Sequence, residues 1–376
     1  MSDSTRWSQP VDAKSAAELL MQNQPLCERP LHLTVGDCGL TIRSNSEPLL
    51  DRLRGYFAHL SQQPTHAAME VIAIESKVLD SGLPFIDWRR EPGKSGRKDA
   101  YVELPDGRLI LKVRTGMLFL QSEGWRIAAG PCLEYDNQLI NFINSQIMNW
   151  LQQRDWLICH AAGLMLDGHA LAIAGFSGGG KSTLMLHLME HPNSRFLTND
   201  RLFLRLRGVE VEAVGIPKLP RINPGTVVNN SRLAGLIDEQ RRAELLQMPK
   251  QALWDLEEKF DVDVARLYGR DRIDTSTPVH LSGLLILNWS KTDDIPVAIH
   301  KVDPARRSEL LSAVMKSPGP FYQDKLGAFI EDEDPLRAEP YQALLKGVNV
   351  FEVTGRMDFA ELTALCLKKW GGKSQV

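Results

Sequence analysis

The chain of 376 residues carries 44 Lys and Arg against 47 Asp and Glu, a net charge of −3, and 43% of its residues are hydrophobic. That is an ordinary globular composition with room for two domains, and its interspersed charges exclude the broad basic face that nucleic acids or acidic membranes require. The five cysteines are odd in number and never spaced C-x-x-C, which argues against both a disulfide framework and a zinc site.

The polar start MSDSTRWSQPVDAK lacks the apolar centre of a secretion signal. No run reaches the roughly 18 apolar residues of a membrane span, so a cytoplasmic protein with no membrane or nucleic-acid partner is expected. From residue 31 the strand-like LHLTV and LTIRS flank GDCG as a hairpin, EPLLDRLRGYFAHLS has helical spacing, and AMEVIAIES reads as a strand. YVELPDGRLILKV contains a P-D-G turn, and GMLFLQSEGWRIAAG holds two further strands. Residues 1–135 therefore predict a small α+β domain, mainly of antiparallel strands with one helix. The helix expected over Asn137–Asp155, with Leu139, Phe142, Ile143, Ile147 and Leu151 on one face, opens a second domain, residues 136–376.

In that domain WLICHAAGLML and HALAIAG are separated by Asp167-Gly168, a two-residue hairpin turn. The second strand runs into GFSGGGKST, which fills G-x-x-x-x-G-K-[ST] with Gly175, Gly180, Lys181 and Ser182. The glycines let successive backbone N–H groups converge on a phosphate chain, and the helix that follows adds its positive N-terminus. Gly175, Ser177, Gly178, Gly179, Gly180, Lys181, Ser182 and Thr183 are the expected contacts to ATP, with Lys181 at the β- and γ-phosphates and Ser182 on Mg²⁺. Later strand-like and helical segments alternate, predicting an α/β core with helices on both faces.

Phosphoryl transfer also needs a second acidic group for Mg²⁺ and a proton acceptor for an attacking hydroxyl. Asp200 closes RFLTND, and emerges beside the loop if RFLT neighbours ALAIAG in the sheet. Lys218 and Arg221, in GIPKLPRINPG, are candidates to neutralise charge on the transferred group. His160, on the strand before the loop strand, reads either as a core residue or as a second catalytic group. The acidic run Glu331 to Pro335 reads as a solvated loop.

The stretch CHAAGLMLDGHALAIAGFSGGGKSTLMLHLMEHPNSRFLTND, about 42 residues, resembles the HPr kinase/phosphorylase family, whose phosphate-loop domain is related to that of phosphoenolpyruvate carboxykinases. It is similar above all to the group called HPr-kinase-related kinase B. The resemblance implies a P-loop kinase domain and makes Lys181, Asp200 and His160 the catalytic set. Glu210 and Gly215 match two positions of a family signature, while Lys259, Arg270 and Arg272, in WDLEEKFDVDVARLYGRDR, would contact substrate from an insertion. It further implies a protein serine or a small molecule as phosphoacceptor, an ATP-grasp enzyme as a partner, and a homo-oligomer. One departure stands out: Asn199-Asp200 replaces the family's two adjacent aspartates. An amide accepts no proton at neutral pH and holds Mg²⁺ less firmly. A slow nucleotide-dependent switch and a nucleotide-binding scaffold therefore stay open beside the kinase.

Overall fold

The computed structural model describes residues 12–64, 69–89, 96–176, 178–249, 252–253, 256, 258–274, 277–290, 294–331 and 335–372. The protein is mixed α/β, built on an eight-stranded sheet, a nine-stranded sheet and one two-stranded ladder. It forms two compact units, Met1–Arg154 with Pro318–Pro335, and Asp155–Ser317 with Leu336–Val376. This division differs from the expected boundary at 135/136.

In the first unit the strands β1 (Leu31–Val35), β2 (Cys38–Ser44), β3 (Met69–Glu75), β4 (Ile86–Asp87), β5 (Asp99–Leu104), β6 (Gly107–Lys112), β7 (Leu118–Ser122) and β8 (Arg126–Gly130) are ordered β1-β2-β3-β8-β7-β6-β5-β4. The sheet is mainly antiparallel, as expected, except that β3 runs parallel to both β2 and β8. Parallel neighbours need a crossover, and helix α2 (Glu47–Tyr56) supplies the one between β2 and β3. A helix not foreseen, α1 (Ala13–Met21), precedes the sheet. Asp12 caps it by accepting from Ser15 N–H at 2.8 Å, and its small buried face of Ala13, Ala16, Ala17 and Leu20 packs with Leu118 and Leu120.

Side chains alternate along β7, so Phe119 points to the other face, where it meets Phe142 of α3 (Asp136–Gln152) with ring centroids 5.0 Å apart. That packing assigns α3 to the first unit. The returning segment 318–335 joins the same unit for a reason invisible in its own sequence. Arg108, only 1% exposed, donates to Pro320 O at 3.3 Å and Ile330 O at 3.0 Å, pairs with Glu103, and lies 4.6 Å from the Phe329 ring centre.

The second unit carries β9 (Leu157–Cys159), β10 (Ala161–Leu166), β11 (His169–Gly175), β12 (Ser194–Thr198), β13 (Leu202–Arg207), β14 (Glu210–Val214), β15 (Arg221–Ile222), β16 (Phe260–Asp261), β17 (Val279–Leu287), β18 (Ala298–Val302) and β19 (Val350–Thr354). The main order is β12-β10-β11-β17-β14-β13-β9, with β19 on β17 and β18 outside β19. The hairpin β10–β11 turns at Asp167-Gly168, both with positive φ (46° and 85°), as a two-residue turn of this hand requires. On one face α4 (Lys181–Met189) and the C-terminal helix Phe359–Trp370 bury Leu184, Leu188, Leu362 and Cys366 against Leu171, Ile173 and Leu285. The opposite face of β10, β11 and β17 is covered by β13 and β14 and by the short helix Glu339–Leu345. Helices on both faces are thus only part of the arrangement, because a strand hairpin takes much of the second layer.

Candidate functional site

Strand β11 lies between antiparallel β10 and parallel β17, so its unbroken apolar run ALAIAG is buried. It ends at Gly175, where the loop turns through Gly178 (φ 72°) and Gly180 (φ 86°), backbone shapes that favour glycine. Lys181 folds back over this turn and donates from Nζ to Gly175 O at 3.1 Å. Helix α4 opens at the same residue, and no side chain caps its first turn. Those N–H groups therefore need an outside acceptor, and a phosphate supplies one.

Two aromatic residues that sequence reasoning missed hold the turn in place. Trp289, just past β17, donates from Nε1 to Gly179 O at 2.9 Å. Its ring meets Phe359 edge-on at 5.0 Å, and Phe359 packs directly against Gly180 and stacks with His187 at 5.8 Å. Of the expected contacts, Thr183 turns its hydroxyl to Thr226 at 2.7 Å. That bond ties α4 to the short helix Pro224–Val228. Ser182 is half-buried in the first turn, while Ser177 lies outside the described residues.

The second acidic group reaches the loop by a different route from the one expected. Strand β12 does not neighbour β11; it pairs with β10, Gly163 facing Thr198. Because β10 is antiparallel to both, β12 and β11 still run in the same direction, and their C-terminal ends emerge on one edge. Ala161 faces Ala174 in the register, so His160, the next residue back, stands opposite Gly175 and the start of the loop. Asp200 lies two residues beyond the end of β12. Its carboxylate takes His160 Nε2 at 3.1 Å through Oδ1 and Lys316 Nζ at 3.1 Å through Oδ2. Burial alone would raise the Asp200 carboxyl, but Lys316, His160 and Arg201 outweigh it and hold it far below the usual carboxylate range. Lys316 and Arg201 were not singled out from the sequence. Arg201 was findable as the neighbour of Asp200, whereas nothing local marks Lys316.

Lys218 joins this group because of Gly215. A Cβ at Gly215 would overlap Leu197 O and sit 3.0 Å from Thr198 Cβ. The bare backbone after β14 can therefore press onto the end of β12 and bring Lys218 within electrostatic reach of Asp200, Arg201 and Lys316. Burial first, then the charges of Arg201, Lys316 and Arg221 against the pull of Asp200, push the Lys218 ammonium down to about 7. Arg221 itself begins β15 and pairs with Asp261 of β16 at 2.9 Å.

Other sequence candidates are elsewhere or otherwise engaged. Glu210 starts β14, at the opposite end of that strand from Gly215, and faces His280 at 3.8 Å. Arg272 donates to Met189 O, His191 O and Ser194 Oγ, binding the carbonyls after α4 as a structural staple. Lys259 donates to Asn223 Oδ1, and Arg270 lies on an exposed one-turn helix. Trp254, Asp255 and Glu257 of the same insertion, and residues 332–334 of the acidic run, fall outside the described residues.

The donors present suit Mg²⁺. Ser182 and Asp200 offer hard oxygens, and Asn199 Oδ1 is a buried acceptor without a hydrogen-bond partner among the described residues. Mg²⁺ takes one or two protein oxygens and completes its shell with phosphate and water.

Among the described residues no helix is long and apolar enough to cross a membrane. No protein-family model matches the chain, and no curated protein does. Among solved structures it is similar to the Hpr(Ser) kinase/phosphatase from Coxiella burnetii, at 16% identity and a TM-score of 0.27, over 56% of this chain and 93% of that one.

Proposed function

We propose that this protein is an ATP-dependent phosphotransferase that passes the γ-phosphoryl group to a hydroxyl. The observation that carries this reading is the shared edge: the Lys181 loop and the Asp200–His160 pair stand at the C-terminal ends of strands running in one direction. A phosphate loop by itself only holds nucleotide. A carboxylate and an imidazole beside it give phosphoryl transfer the other two groups it needs.

The roles divide as follows. Lys181 and the first turn of α4 hold the β- and γ-phosphates and neutralise charge as it moves to the leaving oxygen. Ser182 and Asp200 would hold Mg²⁺, which would supply positive charge to those phosphates. Asp200, kept so firmly ionised, is a poor proton acceptor but a good anchor. As an acceptor-only carboxylate it fixes His160 with the proton on Nε2, leaving the Nδ1 lone pair to take the proton of the acceptor hydroxyl. The acceptor oxygen then bonds to the γ-phosphorus as the bond from that phosphorus to the β,γ-bridging oxygen breaks, and ADP leaves. The altered pair Asn199-Asp200 is compatible with this scheme because the base lies on another strand.

The test follows label from γ-labelled ATP into size-fractionated extract of the source cells. Wild-type protein should move label to an acid-stable protein or small-molecule fraction. Lys181→Ala should reduce transfer on the order of a hundredfold or more. His160→Gln should lower the rate by about a hundredfold with nucleotide affinity retained. Release of label only as free phosphate, or undiminished transfer by Asp200→Asn, would overturn the assignment.

A further inference from the structure

Three cations, Lys218, Arg201 and Lys316, gather around the single carboxylate of Asp200. Elsewhere in this unit the half-buried arginines answer acids or carbonyls of the fold: Arg205 pairs with Glu212 at 3.0 Å, Arg307 with Glu352, and Arg272 donates to Met189 O and His191 O. Lys218 forms no ion pair among the described residues, whereas Lys316 has the Asp200 carboxylate at 3.1 Å. Half-buried like charges repel one another and lose hydration, a cost that a fold sustains where an anion arrives to offset it. The nucleotide's phosphates would have Lys181 and the α4 N-terminus, which leaves Lys218 for another anion.

We infer that the phosphoacceptor carries its own anionic group, a phosphate monoester or a carboxylate, beside the hydroxyl it offers, and that Lys218, Arg201 and Lys316 receive that group. This rests on the phosphotransferase reading above and narrows it. A neutral serine side chain leaves Lys218 unanswered, whereas a hydroxyl compound with an adjacent anion pairs with it while its hydroxyl faces His160. The buried, donorless Asn199 Oδ1, next in the chain to Asp200, gives such a ligand a hydrogen-bond acceptor for a further O–H or N–H.

The experiment saturates the full chain with Mg²⁺ and the non-hydrolysable analogue AMP-PNP, then titrates inorganic phosphate by calorimetry. Phosphate should bind the loaded protein one to one. Lys218→Met and Lys316→Met should each weaken it by about tenfold or more, the scale of one charge-assisted bond, with AMP-PNP affinity changed by less than about threefold. Lys218→Arg and Lys316→Arg keep the charge and should retain most of the phosphate affinity, which separates loss of the site from loss of the fold. Malonate titrated in parallel assigns the class, the tighter probe marking carboxylate or phosphate. Phosphate that only displaces AMP-PNP, or that binds the loaded Met variants as well as wild type, overturns the inference while leaving the kinase standing. AMP-PNP that fails to bind overturns the phosphotransferase reading itself, and the acceptor with it.

Discussion

The loop from Gly175 to Ser182 takes its shape from one stretch of chain, whereas the charged group around Asp200 is gathered from four. His160 comes from before β10, Asp200 and Arg201 from after β12, Lys218 from after β14, and Lys316 from after the one-turn helices at Ser308–Ala313. The loop's demands on its residues are local: positive φ at Gly178 and Gly180, a lysine long enough to fold back, an uncapped helix start. The cluster's demands are on the sheet, which must bring two strand ends to one edge with β10 between them. A site of the first kind is broken by changing its own backbone. One of the second kind is broken from a distance, at whatever contact sets the spacing of its elements.

Gly215 is that contact, and replacing it should have the largest effect on the comparison. In Gly215→Ala the new methyl collides with Leu197 O and the Leu197 carbonyl carbon at 2.6 Å, backbone that cannot swing aside as a side chain can. Overpacking of this kind costs about 1–3 kcal/mol or more, so thermal unfolding should fall by several degrees. Phosphate binding to the AMP-PNP-loaded protein should fall with it, because Lys218 is carried on the displaced segment. AMP-PNP binding should survive, since the atoms the new methyl strikes belong to Leu197 and Thr198 of β12 and not to β11 or α4. An Ala variant with an unchanged melting temperature and intact phosphate binding would show that the close approach does not set the cluster.

The mirror experiment breaks the loop and spares the cluster. Gly180→Ala places a side chain where φ is 86°, which costs about 1–2 kcal/mol for an ordinary residue, and drives it into the Phe359 ring. That ring can yield, so the loss of stability should be smaller than at Gly215. AMP-PNP affinity should drop by about tenfold or more while phosphate still binds through Lys218 and Lys316, measured in the same calorimeter. Equal loss of both ligands would mean that the two parts form a single cooperative site.

The same contrast explains what was legible in the sequence. The β10–β11 hairpin was readable from Asp167-Gly168, and the loop from its glycines and Lys181, because each rests on the conformational needs of adjacent residues. Asp200 and His160 are legible as chemistry-bearing residues at strand ends, yet the adjacency of RFLT and ALAIAG that would place Asp200 by the loop is not the one formed, since β12 pairs with β10. The intervening β10 is apolar, like any other buried strand, and carries no mark of its neighbours. Lys316, Trp289 and Phe359 could not be read, since each acts through a partner more than a hundred residues away or through a ring packed on a glycine. The first unit repeats the lesson: α1 escaped notice because its buried face is three alanines and a leucine. The membership of 318–335 rests on residues far away in the chain, Arg108 on Pro320 O and Ile330 O and Asn149 on Phe321 O among them.

The smallest effect sharpens the comparison by pH, because the cluster contains a lysine that titrates near neutrality. Between about 7, where Lys218 loses its proton in the folded chain, and 10.5, its ordinary value, the folded state binds fewer protons at this residue than the unfolded state. Stability therefore rises with pH across that window, and the contribution is lost as pH falls toward 7. Anion binding has the opposite sign, since it needs the ammonium: affinity for sulfate, whose charge is constant over this range, should fall as pH rises from 7 to 9, by up to about tenfold. Binding at pH 8 should take up protons, visible as a dependence of the measured heat on buffer ionisation enthalpy. Lys218→Arg keeps its charge throughout and should flatten both trends, leaving the AMP-PNP profile where it was. Sulfate affinity that falls just as steeply in the Arg variant would assign the titration to another group, and would separate Lys218 from the anion it is placed to receive.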